Sequence, residues 1–217
     1  MKGLLKNHYY KIVSNLRILL IFMLLTGASI LIFGGGSERL LVIFLCLAVI
    51  AFPFVSSIAV RKSGSGKWNQ YILSLPVRRY EIVKSVFMTQ ITVILIGSVI
   101  SLVLFLASFA IHGFIFYRYV DLLLLFSAAI GISLFMNAIF LPISYLDSDD
   151  RTEALAIISL IIAAAAMTTL ITVTNIFLKK PSDIQLAIFG IGVLILSSVV
   201  FVLSYFGTVG IYSKKDC

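Results

Sequence analysis

Six apolar runs set apart by short polar stretches organise the chain: Leu16–Phe33, Leu40–Val60, Val86–Ile111, Leu122–Leu146, Ala154–Leu178 and Ile184–Tyr212. A helix needs about 20 apolar residues to cross a bilayer core about 30 Å thick. The pattern therefore predicts six transmembrane helices and an all-α fold. The third and sixth runs are long enough to tilt or to continue as helix past the lipid. Turn formers and charge mark the breaks, at Gly34-Gly35-Gly36-Ser37-Glu38 and at Lys179-Lys180-Pro181-Ser182-Asp183. The fifth run carries Ala163-Ala164-Ala165-Ala166 before Met167-Thr168-Thr169. Residues this small let helix backbones approach closely in lipid, within one chain or between two; they also simply favour helix.

Composition agrees. Of 217 residues, 61% are apolar and 12% charged, and the mean hydropathy is +1.14. Soluble domains carry about 25% charged residues, so this chain has too little polar side chain to cover a water-facing surface, and lipid removes the conflict. The net charge of +8 does not point to nucleic acid, because the basic residues sit in the short stretches between apolar runs. There they report orientation. With the N-terminus inside, 13 of the 17 Lys and Arg face the cytoplasm, and only Arg39, Arg118, Lys179 and Lys180 lie outside. Both termini are predicted to be cytoplasmic. A cleaved leader is not expected, because the basic stretch before the first run is long. Cys46, within an apolar run, and Cys217 form neither a disulfide framework nor a metal-ligand spacing.

The outward loops are too short to hold a receptor or catalytic domain. Of the inward segments only 61–85 is long, with six Lys and Arg against Glu81. Ser63-Gly64-Ser65-Gly66 opens it as a flexible break that could cap a helix start. Beyond Lys67, Trp68, Tyr71, Ile72 and Leu75 fall at i, i+3, i+4 and i+7, one helical face. Pro76 ends this short helix and suits the first turn of the next, past the basic pair Arg78-Arg79. The pattern fits a cytoplasmic docking helix between the second and third spans. It equally fits an interfacial helix that anchors in headgroups through its Trp and Tyr. A weaker amphipathic pattern at 1–15, with Leu4, Leu5, His8, Ile12 and Val13 on one face, predicts an interfacial helix ahead of the first span.

Several chemistries are missing. Gly64-Ser65-Gly66-Lys67 resembles the end of a phosphate-binding loop, but Arg61 and Trp68 stand where that loop needs Gly and Ser or Thr. No Asp, Glu, His, Lys or Arg lies inside a run away from its ends, which argues against a proton relay of the kind ion-coupled transporters place near the midplane. The two histidines, His8 and His112, have no catalytic or metal-binding partner in the sequence. No catalytic, cofactor or metal site is predicted. The polar residues within the runs most open to lining a path are Gln90, Asn137, Thr168 and Thr172; hydrogen bonding between helices is their alternative role.

From Trp68 to Ser85 the chain resembles the half-size ABC-2 type permeases of bacteria. Those carry a Trp, a spaced aromatic, Leu-Pro-Val, a basic residue and Ile-Val before the third span, here Trp68, Tyr71, Leu75, Pro76, Val77, Arg79, Ile82 and Val83. The six-span layout fits the same family over essentially the whole chain. The resemblance implies one permease domain over 1–217 in a bacterial plasma membrane. It implies that 67–75 is a coupling helix seated in a separately encoded ATPase, with Trp68, Tyr71, Ile72, Leu75, Pro76, Arg78 and Arg79 at the contact. It further implies a complex of two ATPases, which hold the ATP and Mg, and two permeases, the second being a copy or a homologue. Members export amphipathic peptide toxins of the phenol-soluble modulin type or confer resistance to peptide antibiotics. The expectation is thus a non-enzymatic permease subunit exporting an amphipathic peptide or another lipophilic substrate. The alternatives are a substrate-capture subunit of a vitamin importer and a non-transporting scaffold or immunity protein.

Overall fold

The computed structural model describes residues 17–30, 38–62, 79–113, 118–146, 151–177 and 182–214. The expected helices at 1–15 and 67–75 lie outside the described residues. What is described is helical apart from short turns: α1 (Arg17–Ile30), α2 (Glu38–Lys62), α3 (Arg79–His112), α4 (Tyr119–Leu146), α5 (Thr152–Phe177) and α6 (Asp183–Lys214). The last five are long and apolar enough to cross a membrane. The described part of the first expected span has only 14 residues, short of what a crossing requires.

Local chemistry sets several of the ends. Gly113 closes α3 in the left-handed region (φ 77°), and its amide still donates to the Phe109 carbonyl at 2.9 Å; glycine adopts this conformation without a steric penalty. Ser182 and Gln185 begin α6 with reciprocal bonds. The Ser182 amide donates to Gln185 Oε1 at 3.0 Å and the Gln185 amide to Ser182 Oγ at 3.4 Å, a capping box that satisfies two amides otherwise left open. α3 is the longest helix. Its apolar run was expected from Val86 and the helix itself from the turn at Pro76; the helix spans Arg79–His112, and so precedes the apolar run, because Tyr80 to Ser85 can continue a helix without being lipophilic. At 1.5 Å per residue its 34 residues make a rod about 50 Å long, some 20 Å more than a bilayer core.

α2 and α4 form the centre. Half of the most apolar stretch of α2 is buried, and 44% of that of α4, against 22% for α5 and α6. α4 packs against α2, α5 and α6, and α2 also takes α3 on its other side. Small residues permit the close contacts. The buried stripe of α5 is Ala156, Ser159, Ala163 and Met167, so the alanine run divides, with Ala163 inside and Ala165 exposed. Aromatic rings fill the region near the chain's basic segments. Phe87 of α3 meets Phe201 at 5.0 Å and Tyr205 at 5.3 Å, both on α6, and Tyr145 of α4 meets Tyr212 at 5.1 Å. Away from these contacts α3 exposes Ile91, Leu95, Val99, Leu102 and Leu106, the apolar outer face that lipid requires.

Candidate functional site

Both central helices contain a proline, Pro53 in α2 and Pro142 in α4. Proline has no amide hydrogen, so the carbonyl four residues earlier loses its partner within the helix. Those carbonyls belong to Val49 and Ala138, and a serine from a neighbouring helix takes each. Ser133 Oγ of α4 lies 3.1 Å from the Val49 carbonyl and 2.9 Å from the Ala129 carbonyl of its own helix, so its one proton is shared between the two. Ser204 Oγ of α6 donates to the Ala138 carbonyl at 2.6 Å. An open carbonyl in an apolar interior is costly, and each bond both removes that cost and ties two helices together. Ser204→Ala is expected to lower stability by about 1–2 kcal/mol, read by thermal unfolding in detergent. In a Pro142→Ala background, where the Ala138 carbonyl regains its helical partner, the loss should shrink.

Asn137 lies between the two prolines' levels and is fully buried. Its Oδ1 accepts from Ser57 Oγ of α2 at 2.8 Å, and its Nδ2 donates to the Ser133 carbonyl at 2.9 Å. Ser57 Oγ also lies 2.7 Å from the Pro53 carbonyl, so one hydroxyl proton serves two acceptors. Ser101 Oγ of α3 donates to the Leu45 carbonyl at 3.2 Å. The centre is therefore stitched by bonds from side chains to backbone carbonyls and by the Ser57–Asn137 side-chain pair, all of them neutral. Among the described residues no Asp, Glu, Lys, Arg or His is buried, and no group of residues suited to hold a metal ion occurs.

Gln90 departs from this economy. It is fully buried on α3, and neither its Oε1 nor its Nε2 bonds to another described residue. Ser56 Oγ on α2 is equally unpaired. The two are related by register. Ser101 meets Leu45 and Gly97 approaches Ala48 and Phe52; two further turns bring Gln90 to the level of Ser56. A buried amide without partners costs about 1–3 kcal/mol. Gln90→Leu is therefore expected to raise the unfolding temperature, checked by the same detergent unfolding.

The other residues singled out from the sequence are scattered. Thr168 and Thr172 sit on the exposed side of α5 and bond within their own helix, Thr168 Oγ1 to the Ala165 carbonyl and Thr172 Oγ1 to that of Thr168, each at 2.9 Å. They share no space with the buried pair Gln90 and Asn137. Of the coupling residues, Trp68, Tyr71, Ile72, Leu75, Pro76 and Arg78 lie outside the described residues, and Arg79 is the first residue of α3. Sequence reasoning missed Ser57, Ser133 and Ser204. The signal was available, since each proline marks an orphaned carbonyl four residues back, but the serine that reaches it is set by neighbouring helices.

A family model described as ABC-2 family transporter protein matches residues 3–213. No curated protein and no solved structure matches the chain.

Proposed function

Since the chain belongs to the ABC-2 transporter family and is a multi-pass membrane protein that serves as a permease subunit beside an ABC ATPase, we propose that it exports an amphipathic peptide or another lipophilic substrate. In this reading the chain hydrolyses nothing, and ATP and Mg are held by two copies of a separately encoded ATPase. A second permease, a copy or a homologue, completes the path. The basic segments face the cytoplasm of a bacterial cell, and 67–75 seats in the ATPase.

The observation that carries this reading is the uncharged centre. With no carboxylate, histidine or basic group among the described side chains that are buried, no charged group is placed there to relay a driving proton. In this reading work arrives from outside the lipid. α3 is suited to deliver it. It begins at Arg79, directly after the proposed coupling helix, exposes Tyr80 and Lys84, and grips α6 through Phe87 two turns further on. Movement at its start would shift α3 against α2, the interface that holds Gln90 and Ser56. A pair unbonded in this arrangement and bonded in another would favour the other by differential interaction. Gln90→Leu, stabilising in the resting chain, is accordingly expected to reduce export.

The test is co-expression with the candidate ATPase, reconstitution in liposomes, and measurement of ATP-dependent movement of labelled amphipathic peptide. Movement that stops when the ATPase is made catalytically dead supports the reading. Full protection or assembly with the dead ATPase would favour the scaffold alternative.

A further inference from the structure

α5 and α6 follow each other in the chain, yet both pack against α4 rather than against one another. Between them opens a cleft of about 280 Å³ backed by α4, beside the starts of α4 and α6 and the end of α5. This is the end of the bundle opposite the start of α3 at Arg79. Its walls are apolar, with Ile171 and Phe189 facing across it and Met167 at its inner limit. Met167 can close it because Gly131 on α4 has no side chain; the Met167 methyl occupies the place of a Cβ.

The polar groups of the cleft are of one kind. Asp121, on the first turn of α4, contributes a carboxylate that can only accept. Ser127 Oγ has given its proton to the Leu124 carbonyl at 2.9 Å, and Thr174 Oγ1 has given its own to the Leu170 carbonyl at 2.7 Å. Both therefore present lone pairs to the space. Nearby, Arg118 reaches across to Asp183 at the start of α6, at 3.1 Å. No described residue bonds to the Asp121 carboxylate.

An apolar space whose polar atoms all accept is complementary to an apolar body carrying a donor cation. We propose that the cleft between α4, α5 and α6 binds a primary ammonium group attached to an aliphatic or aromatic body, with Asp121 as its counter-ion. The volume falls just below the range of about 300–1,000 Å³ usual for whole small ligands, so the cleft takes one such group rather than an entire amphipathic peptide. The substrate class follows: lipophilic molecules or peptides bearing an amine beside apolar surface, held on the outward side. This last step rests on the export reading; the binding site itself does not.

The experiment uses the full chain without its ATPase, in nanodiscs of zwitterionic lipid. Binding of 4-phenylbutylammonium and of its neutral counterpart 4-phenylbutanol is measured by saturation-transfer NMR and competition. The wild type should prefer the ammonium by about tenfold, the effect of one charge-assisted bond at a partly exposed site. Asp121→Asn should abolish the preference while leaving the alcohol unaffected, and Asp121→Glu should retain much of it, which separates charge from folding. Ile171→Trp, which fills the cleft, should weaken both ligands. Equal affinities in the wild type, an unchanged preference in Asp121→Asn, or indifference to Ile171→Trp would each overturn the proposal. Because no ATPase is present, failed export in the complete complex would contradict the transport reading and leave this binding result in place.

Discussion

Trp68→Ala is expected to weaken the permease's hold on its ATPase by about thirtyfold or more, and ATP-driven export with it. An aromatic anchor seated in a partner's pocket commonly contributes 2 kcal/mol or more when truncated, and each 1.4 kcal/mol is about a factor of ten. Trp68 is the chain's one tryptophan and, in the proposed coupling helix, heads the apolar face expected with Tyr71, Ile72 and Leu75. Titrating purified ATPase onto the permease in nanodiscs gives the affinity directly. Trp68→Phe, which keeps an aromatic body, should lose much less. Arg79→Ala, at the first residue of α3, should lower coupling between this segment and that helix. An anchor that merely sits among headgroups predicts a different result, with unchanged ATPase affinity and poorer membrane insertion.

Gly131→Leu is expected to destabilise the helical bundle by about 3 kcal/mol or more, at the upper end of overpacking costs. A Cβ at this position would overlap the Met167 methyl and come within 3.2 Å of Ser197 Oγ and 3.3 Å of Val193 Cγ1. Met167 is flexible and can withdraw, so Gly131→Ala should be tolerated better, and best with Met167→Ala. Ser197 and Val193 belong to α6, and the larger leucine can be admitted only by moving α6 off α4. Gly192, on the same α6, is the control. Nothing lies within 4 Å of its Cβ position, so Gly192→Leu should alter the detergent unfolding temperature little. Equal losses at the two glycines would mean that the α4–α6 contact is not as close as described.

The large outline of the fold was readable because lipid imposes a simple rule on composition. Five expected spans coincide with long apolar helices to within a few residues, and α3 starts ahead of its apolar run, as a helix expected from the turn at Pro76 would. Hydropathy marks where lipid begins, whereas Arg79 to Ser85 are helical for reasons of local propensity and packing. Residue type gave less guidance on facing. Thr168 and Thr172 looked like candidates for a path, but a threonine can satisfy itself on its own helix, and only neighbouring helices decide which side is inside. The same limit hid Ser133 and Ser204. A serine in an apolar helix commonly bonds the carbonyl a turn earlier, as Ser197 does to Val193 at 2.6 Å and Ser133 itself does to Ala129 at 2.9 Å. Nothing in the sequence near Ser133 or Ser204 indicates that Pro53 and Pro142 have released carbonyls within their reach. The acceptor-lined cleft was hidden for a related reason, since its parts come from three helices.

A photo-crosslinking side chain in place of Trp68, activated in the assembled transporter, tests most directly whether force enters through this segment. A covalent product with the cytoplasmic ATPase, formed in intact cells and diminished by Arg79→Ala, is the predicted result. Crosslinks to lipid alone, or labelling of a cysteine at position 68 by an impermeant reagent applied outside the cell, would contradict it.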